Sequence, residues 1–360
     1  MSNSFGNLFR ISSFGESHGE GIGVVIDGCP AGVKLDPEFI QSELNRRRPG
    51  QSRITTQRKE SDTFQLLSGH VDFTTTGAPL GFFVANTNAR SKDYNHLAQN
   101  FRPSHADYTY FAKYGVRDHR GGGRSSARET IARVIGGAVA KQVLSAHTDV
   151  SINAWVHSIH QLSLDSIPAS MELSTDYCKA THCPDEAMAE QMYNLIDSIR
   201  KEGDSVGGTI MCVASGVPAG WGEPIYGKLP AELASAMLSI NAVKGFDIGS
   251  GFEGTRLKGS EHNDSFYMEG EKVRTKTNNS GGVQGGISNG EDVYFRVAFK
   301  PTSTIMQDQN SVNAVGESVT VVGKGRHDPC VVPRAVPVVE SMAAIVLLDQ
   351  YLQFRARKFS

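Results

Sequence analysis

The strongest constraint on the fold is an internal echo. Ser17–Gly32 (SHGEGIGVVIDGCPAG) and Ser205–Gly220 (SVGGTIMCVASGVPAG) are identical at eight of sixteen aligned positions. Each reads as a short apolar strand ending in a Gly-x-Pro-Ala-Gly turn, where glycine and proline set the backbone angles. Each is followed by Lys-Leu, a turn and a helical pattern, over Pro37–Asn45 in one copy and Pro230–Ile240 in the other. The parallel continues more loosely. Leu80–Ala85 and Val293–Phe299 read as strands, the second with Val293, Phe295, Val297 and Phe299 at alternate positions. A basic loop then leads to a long helix in each half, about Ser126–Ser145 and Pro337–Leu352, with Pro337 suited to a first turn. Gly136-Gly137 inside the first of these lowers helix propensity and predicts a close helix contact.

A duplicated unit with a pseudo-twofold follows, over approximately 6–148 and 203–353, within a single domain of residues 1–360. The stretch 149–204 reads as a connector or insertion carrying a helix near Pro184–Arg200. Strands that lie close in sequence and alternate in polarity favour an α+β fold, antiparallel sheets packed on helices, over a doubly wound parallel sheet.

Composition excludes several classes. With 38 acidic and 36 basic residues the chain carries a formal charge of −2, which argues against a nucleic-acid partner. Its apolar stretch Met342–Leu348 falls far short of a membrane span, and Met1–Arg10 is unlike a secretory leader. The five cysteines are odd in number and scattered, as suits free thiols in the cytoplasm. Cys178, His182 and Cys183 lack a fourth ligand at a familiar spacing, so no metal site is expected.

The near-zero total hides local charge. Arg46–Lys59 holds six basic residues and no acidic one, and Lys113–Arg133 holds six opposed only by Asp118 and Glu129. Arginine outnumbers lysine ten to two in these runs, and its fork suits carboxylate and phosphate. The Arg46–Lys59 run has no aromatic residue on which bases could stack, so a small polyanion fits better than a single-stranded nucleic acid. The sharpest motif, Gly121-Gly122-Gly123-Arg124-Ser125-Ser126-Ala127-Arg128-Glu129, places three glycines and two hydroxyls just ahead of a helix. Helix starts and open backbone attract anions. No Walker loop is present, and Gly249-x-Gly251-x-x-Gly254 is not followed by an amphipathic helix, so neither a phosphotransferase nor a Rossmann site is favoured. His18, His119 and Asp328 lie in three glycine- or arginine-rich loops and are the candidate acid–base groups.

These residues closely resemble the chorismate synthase family. The resemblance runs through Gly15-Glu16-Ser17-His18-Gly19, Arg46-Arg47-Arg48-Pro49-Gly50, the triglycine motif, Asn241-Ala242-Val243-Lys244-Gly245, Gly285-Gly286-Ile287-Ser288-Asn289-Gly290, Lys300-Pro301-Thr302-Ser303-Thr304 and Arg326-His327-Asp328-Pro329-Cys330. It implies a β-α-β sandwich with helices between antiparallel sheets, assembled as a homotetramer. The implied reaction is the 1,4-anti elimination of phosphate from 5-enolpyruvylshikimate 3-phosphate to give chorismate, dependent on reduced FMN. The resemblance further implies His18 and His119 as proton donors, Asp328 as the group assisting the flavin's N5, and Ser17 and Ser126 as relays. Arg124, Ser125, Ser126, Asn241, Ala242, Gly286, Lys300, Pro301, Thr302, Ser303, Thr304 and Arg326 match the FMN site. Arg48, Arg53 and Arg128 match positions for substrate or nicotinamide nucleotide. An external flavin reductase is expected, with NADPH as an indirect reductant. The alternative is a non-catalytic anion- or RNA-binding protein that uses the arginine loops.

Overall fold

The structure is a computed structural model that describes residues 3–56, 60–87, 97–166, 171–323 and 327–357. Ten strands form two five-stranded antiparallel sheets. The first contains β1 (Ser4–Phe5), β2 (Arg10–Gly15), β3 (Gly21–Asp27), β4 (Phe64–Ser68) and β5 (Leu80–Ala85), in the order β1-β2-β3-β5-β4. The second contains β6 (Ser151–Ile159), β7 (Leu162–Ser163), β8 (Gly208–Ser215), β9 (Val243–Ile248) and β10 (Val293–Phe299), in the order β7-β6-β8-β10-β9. The two sheets share the order third-fifth-fourth strand (β3-β5-β4 and β8-β10-β9) and differ in their first two strands, since β6 rather than β7 pairs with β8; the echoed segments become β3 and β8. The segment 149–204, expected as a connector, supplies β6 and β7 to the second sheet. β6 pairs with β8 from Gly208 opposite Ile159 to Ser215 opposite Ser151.

Between the sheets lie α1 (Pro37–Arg47), α3 (Thr130–His147), α6 (Leu229–Leu238) and α8 (Val332–Arg357). Outside this layer come α2 (Asp107–Tyr114), α4 (Asp176–Thr181), α5 (Glu186–Glu202) and the single turn α7 (Gly259–His262). Local sequence explains several boundaries. Asp36 caps α1 by accepting from the Glu38 amide at 2.8 Å, and Pro37 occupies the first helical position. In β10, Val293, Phe295, Val297 and Phe299 all turn into the core, the period-two pattern of a strand covered on one face. α3 and α8 are apolar nearly all round because each has a sheet on one side and helices on the other. α8 is long and apolar enough to cross a bilayer, but it is buried in the middle of the fold.

Two expected helix starts move. α3 begins at Thr130 rather than Ser126, because Gly123–Ser125 and Ala127–Glu129 form separate 3₁₀ turns. α8 begins at Val332 rather than Pro337. Pro333 is the proline of its first turn, and Pro337 sits in the second, where it forfeits a backbone hydrogen bond.

The glycine pair marks where α3 and α8 touch. A Cβ placed on Gly137 would lie 2.3 Å from Ser341 Cα, and one on Gly136 would lie 2.9 Å from a methyl of Ile11 on β2. A buried ionic knot ties the same layer. Arg46 bonds Glu43 at 2.7 Å and both oxygens of Glu340 at 2.7 and 2.8 Å, while Lys141 reaches Glu43 and Glu340 at 2.6 Å. Burial alone would raise the Glu340 carboxyl, but Lys141 and Arg46 outweigh it and hold it at about 2.

Gly137→Ala is therefore expected to lower unfolding stability by about 1–3 kcal/mol or more, because the methyl meets backbone rather than a movable side-chain end. Urea unfolding measures this. An unchanged midpoint and slope would contradict the close helix contact.

Candidate active site

A cleft of about 400 Å³ opens where α3 and α8 begin. Thr130 contributes from one helix start, and Arg334, Ala335 and Val338 from the other. The dipoles of both helix starts thus bear on one volume, which favours anions there. The end of α1, the 102–106 and 121–128 segments, the 240–242 turn and the residues after β10 complete the walls.

Five basic side chains line this cleft: Arg47, Arg102, Arg128, Lys300 and Arg334. Arg47, the last residue of α1, is 2% exposed. Its Nη2 donates to Asp62 Oδ2 at 2.7 Å, and its Nη1 donates to the Ala127 carbonyl and Thr130 Oγ1 at 3.2 Å. Arg128 Nη1 donates to Asp62 Oδ1 at 3.0 Å and also pairs with Glu60, while its Nε bonds Asn86 Oδ1. Burial would raise the Asp62 carboxyl, but the guanidiniums of Arg47 and Arg128 hold it below the usual range. Arg334 pairs with Asp328, whose Oδ1 also accepts the Thr56 amide at 2.9 Å. Lys300 Nζ stands 3.3 Å from Ser104 Oγ, and burial together with nearby Lys244 lowers its pKa.

The expected site residues divide into three groups. Ser125, Ser126, Arg128, Asn241, Ala242, Lys300, Thr302, Ser303, Thr304 and Asp328 all line the cleft, although they come from distant parts of the chain. Ala242 holds a left-handed φ of 68°, unusual for alanine and a mark of a constrained site. Just behind the lining stand Ser17 and His18. Ser17 Oγ lies 3.0 Å from His18 Nδ1, and the His18 ring presses against Gly121, where a Cβ would sit 2.2 Å from its Cε1. Only a residue without a side chain fits there.

The third group lies elsewhere. His119, Arg48 and Pro301 do not contribute to the lining. Arg53 is exposed, 3.7 Å from Asp197. Arg124 turns to β2, donating to Ser13 Oγ at 2.8 Å and to the Ser13 and Gly15 carbonyls. Gly286 closes a turn against α6, its carbonyl accepting the Leu229 amide at 2.9 Å. Arg326 lies outside the described residues.

Sequence reasoning passed over His105. It lines the cleft in Arg102-Pro103-Ser104-His105-Ala106-Asp107, a histidine between opposite charges in a short loop, the same signal that pointed to His119. Asp107 is buried and held well below the carboxylate range: burial opposes this, and Arg102 and His105 outweigh it. Arg102 grips it at 2.7 and 2.9 Å, and Arg117 approaches at 3.1 Å. His105 Nδ1 lies 3.0 Å from Asp107 Oδ1. Burial lowers the His105 pKa, and Arg102 and Arg117 lower it further, against the pull of Asp107.

A family model described as chorismate synthase matches residues 9–352. The chain belongs to the chorismate synthase family. Chorismate synthase of Cytophaga hutchinsonii is 58% identical over 357 residues, covering 99% of both chains. That of Bacteroides fragilis is 56% identical over 352 residues, 98% of each. A crystal structure of a chorismate synthase superposes with a TM-score of 0.75 at 32% identity, covering 97% of this chain and 93% of the other. The activity is that of a lyase, converting 5-enolpyruvylshikimate 3-phosphate to chorismate and phosphate, and the family uses reduced flavin. The RNA-binder alternative has no support among these relatives.

The donors and acceptors of the cleft suit such ligands. Asn241 donates to the Ser125 carbonyl at 2.9 Å, but its Oδ1 is buried and has no partner among the described residues. A buried carbonyl of this kind calls for an N–H donor, which the imide edge of a flavin carries. Cation-rich walls suit the phosphate and carboxylate groups of a chorismate synthase substrate.

His105 is expected to titrate with a midpoint below that of an ordinary imidazole, because burial, Arg102 and Arg117 disfavour its charged form. Ring ¹⁵N shifts measure its protonation. A midpoint at or above the ordinary value would contradict the burial argument.

Proposed function

We propose that this cleft holds reduced FMN and 5-enolpyruvylshikimate 3-phosphate together and that its residues divide the elimination among them. One observation carries the reading: two helix starts and five basic side chains meet in one volume with most of the motif residues that resemble the family's site. Lys300, with Thr302–Thr304 at the end of β10, is suited to the flavin phosphate, and Asn241 to the flavin's N–H edge. Reduced FMN held by these residues would supply electron density to the elimination. Arg47 and Arg128 bind the substrate's anionic groups and favour charge moving onto the departing phosphate.

Asp328, paired with Arg334 and oriented by the Thr56 amide, serves as the acceptor toward which the ring proton is relayed. His105 lines the cleft and, with its charged form disfavoured, would serve there as a hydrogen-bonding imidazole. His18, backed by Ser17, acts through the thin Gly121 wall. Both C–O and C–H bonds break, and one phosphate and one proton leave, so the substrate undergoes no net redox change. An external reductant, with NADPH as its indirect source, keeps the flavin reduced. A homotetramer in the cytoplasm is part of the proposal: Phe266, Met268 and Val273 expose apolar surface on one hairpin that a second copy would cover.

Anaerobic incubation with dithionite-reduced FMN is expected to release phosphate in step with chorismate. No release by folded protein would overturn the reading. Asp328→Asn is expected to retain FMN binding and lose most turnover, and unchanged turnover would remove Asp328 from the reaction.

A further inference from the structure

Behind the cleft wall, one carboxylate serves two of the lining arginines. Asp62 is 2% exposed, and its side chain contacts no solvent. Oδ2 takes Nη2 of Arg47 at 2.7 Å, and Oδ1 takes Nη1 of Arg128 at 3.0 Å. The arginines come from different places, the end of α1 and the 3₁₀ turn before α3. Nothing in their sequence spacing would set their mutual orientation. The backbone at Asp62 is also held in an unfavourable form, with φ at 48°. A non-glycine residue keeps such a conformation when the surrounding structure fixes it, commonly at functional sites.

We propose that Asp62 is a positioning residue for substrate recognition: its buried carboxylate sets Arg47 and Arg128 as a pair that receives an anionic group of the phosphorylated substrate in the cleft. The inference rests on the reading that this cleft binds the substrate. Asp62 itself touches neither substrate nor cofactor. Glu60 plays a different part, since it lines the cleft and meets Arg128 there. Asp62 stands behind both guanidiniums and keeps their geometry whether or not an anion is bound. A preset pair spares the ligand the cost of ordering two long side chains.

Asp62→Asn tests this with little change of shape, because asparagine also tolerates the left-handed backbone. Its amide offers one acceptor oxygen. Its NH₂ would face the second guanidinium donor to donor, so the two arginines can no longer both be held. Expected is a rise of about 10- to 100-fold in KM for 5-enolpyruvylshikimate 3-phosphate, with kcat changed far less. The inhibition constant of inorganic phosphate should rise by a similar factor, and FMN affinity should stay unchanged. The last point separates positioning from general loosening, which would weaken both ligands.

Unchanged KM and phosphate inhibition in folded Asp62→Asn would overturn the inference, as would equal losses of substrate and FMN affinity. If the asparagine variant does not fold, Arg128→Lys leaves Arg47 to pair with Asp62 and must raise the same two constants. No rise there would equally overturn it. Lack of activity in the unaltered enzyme under reducing, anaerobic conditions would instead count against the functional reading itself.

Discussion

The contact between Gly137 and Ser341 sets the geometry on which the rest depends. Without a side chain on α3 at this point, the two central helices approach until backbone meets backbone. The contact falls about two turns in from each helix start, Thr130 and Val332. Packing at that depth brings both starts to one cleft, and with them the loops that precede each helix. The triglycine segment arrives on one side and the Asp328 segment on the other. Core packing thus fixes where the anion-attracting ends point.

Concentrating so many cations carries an electrostatic cost, and the structure offsets it with carboxylates set behind them. Asp62 serves Arg47 and Arg128, Asp107 serves Arg102 and Arg117, and Asp328 serves Arg334. Each arginine is partly neutralised while keeping N–H groups for a ligand, since a guanidinium has five. Away from the cleft, the Glu43–Arg46–Lys141–Glu340 knot balances two charges of each sign inside the helix layer. The adjacent residues Arg46 and Arg47 therefore belong to different systems, one within the layer and one in the cleft.

Much of the sandwich was legible in the sequence. The Gly-x-Pro-Ala-Gly echo locates equivalent strands, and the apolar runs give β5 and, by alternation, β10 with their observed limits. The role of Gly136-Gly137 as a close-packing pair also holds. β6 was harder to see, because in Ser151–Ile159 only Trp155, Val156 and Ile159 are fully buried and strict alternation fails. The start of α8 was placed late because two prolines lie four apart and only packing shows which opens the helix. At the site, the long motifs identified most of the lining. That His105 rather than His119 lines the cleft needed the fold, since both sit between opposite charges in short loops. Asp62 gave no signal at all, because its importance lies in two arginines brought together only by the fold.

The most direct test of this account is a crystal structure of the protein with oxidised FMN and 5-enolpyruvylshikimate 3-phosphate bound. Both ligands are expected in the cleft at the starts of α3 and α8. Substrate oxygens should lie within hydrogen-bond distance of Arg47 or Arg128, and the flavin against Asn241 and Lys300. Ligands seated elsewhere, such as at the Gly286 turn, with the cleft empty, would contradict it.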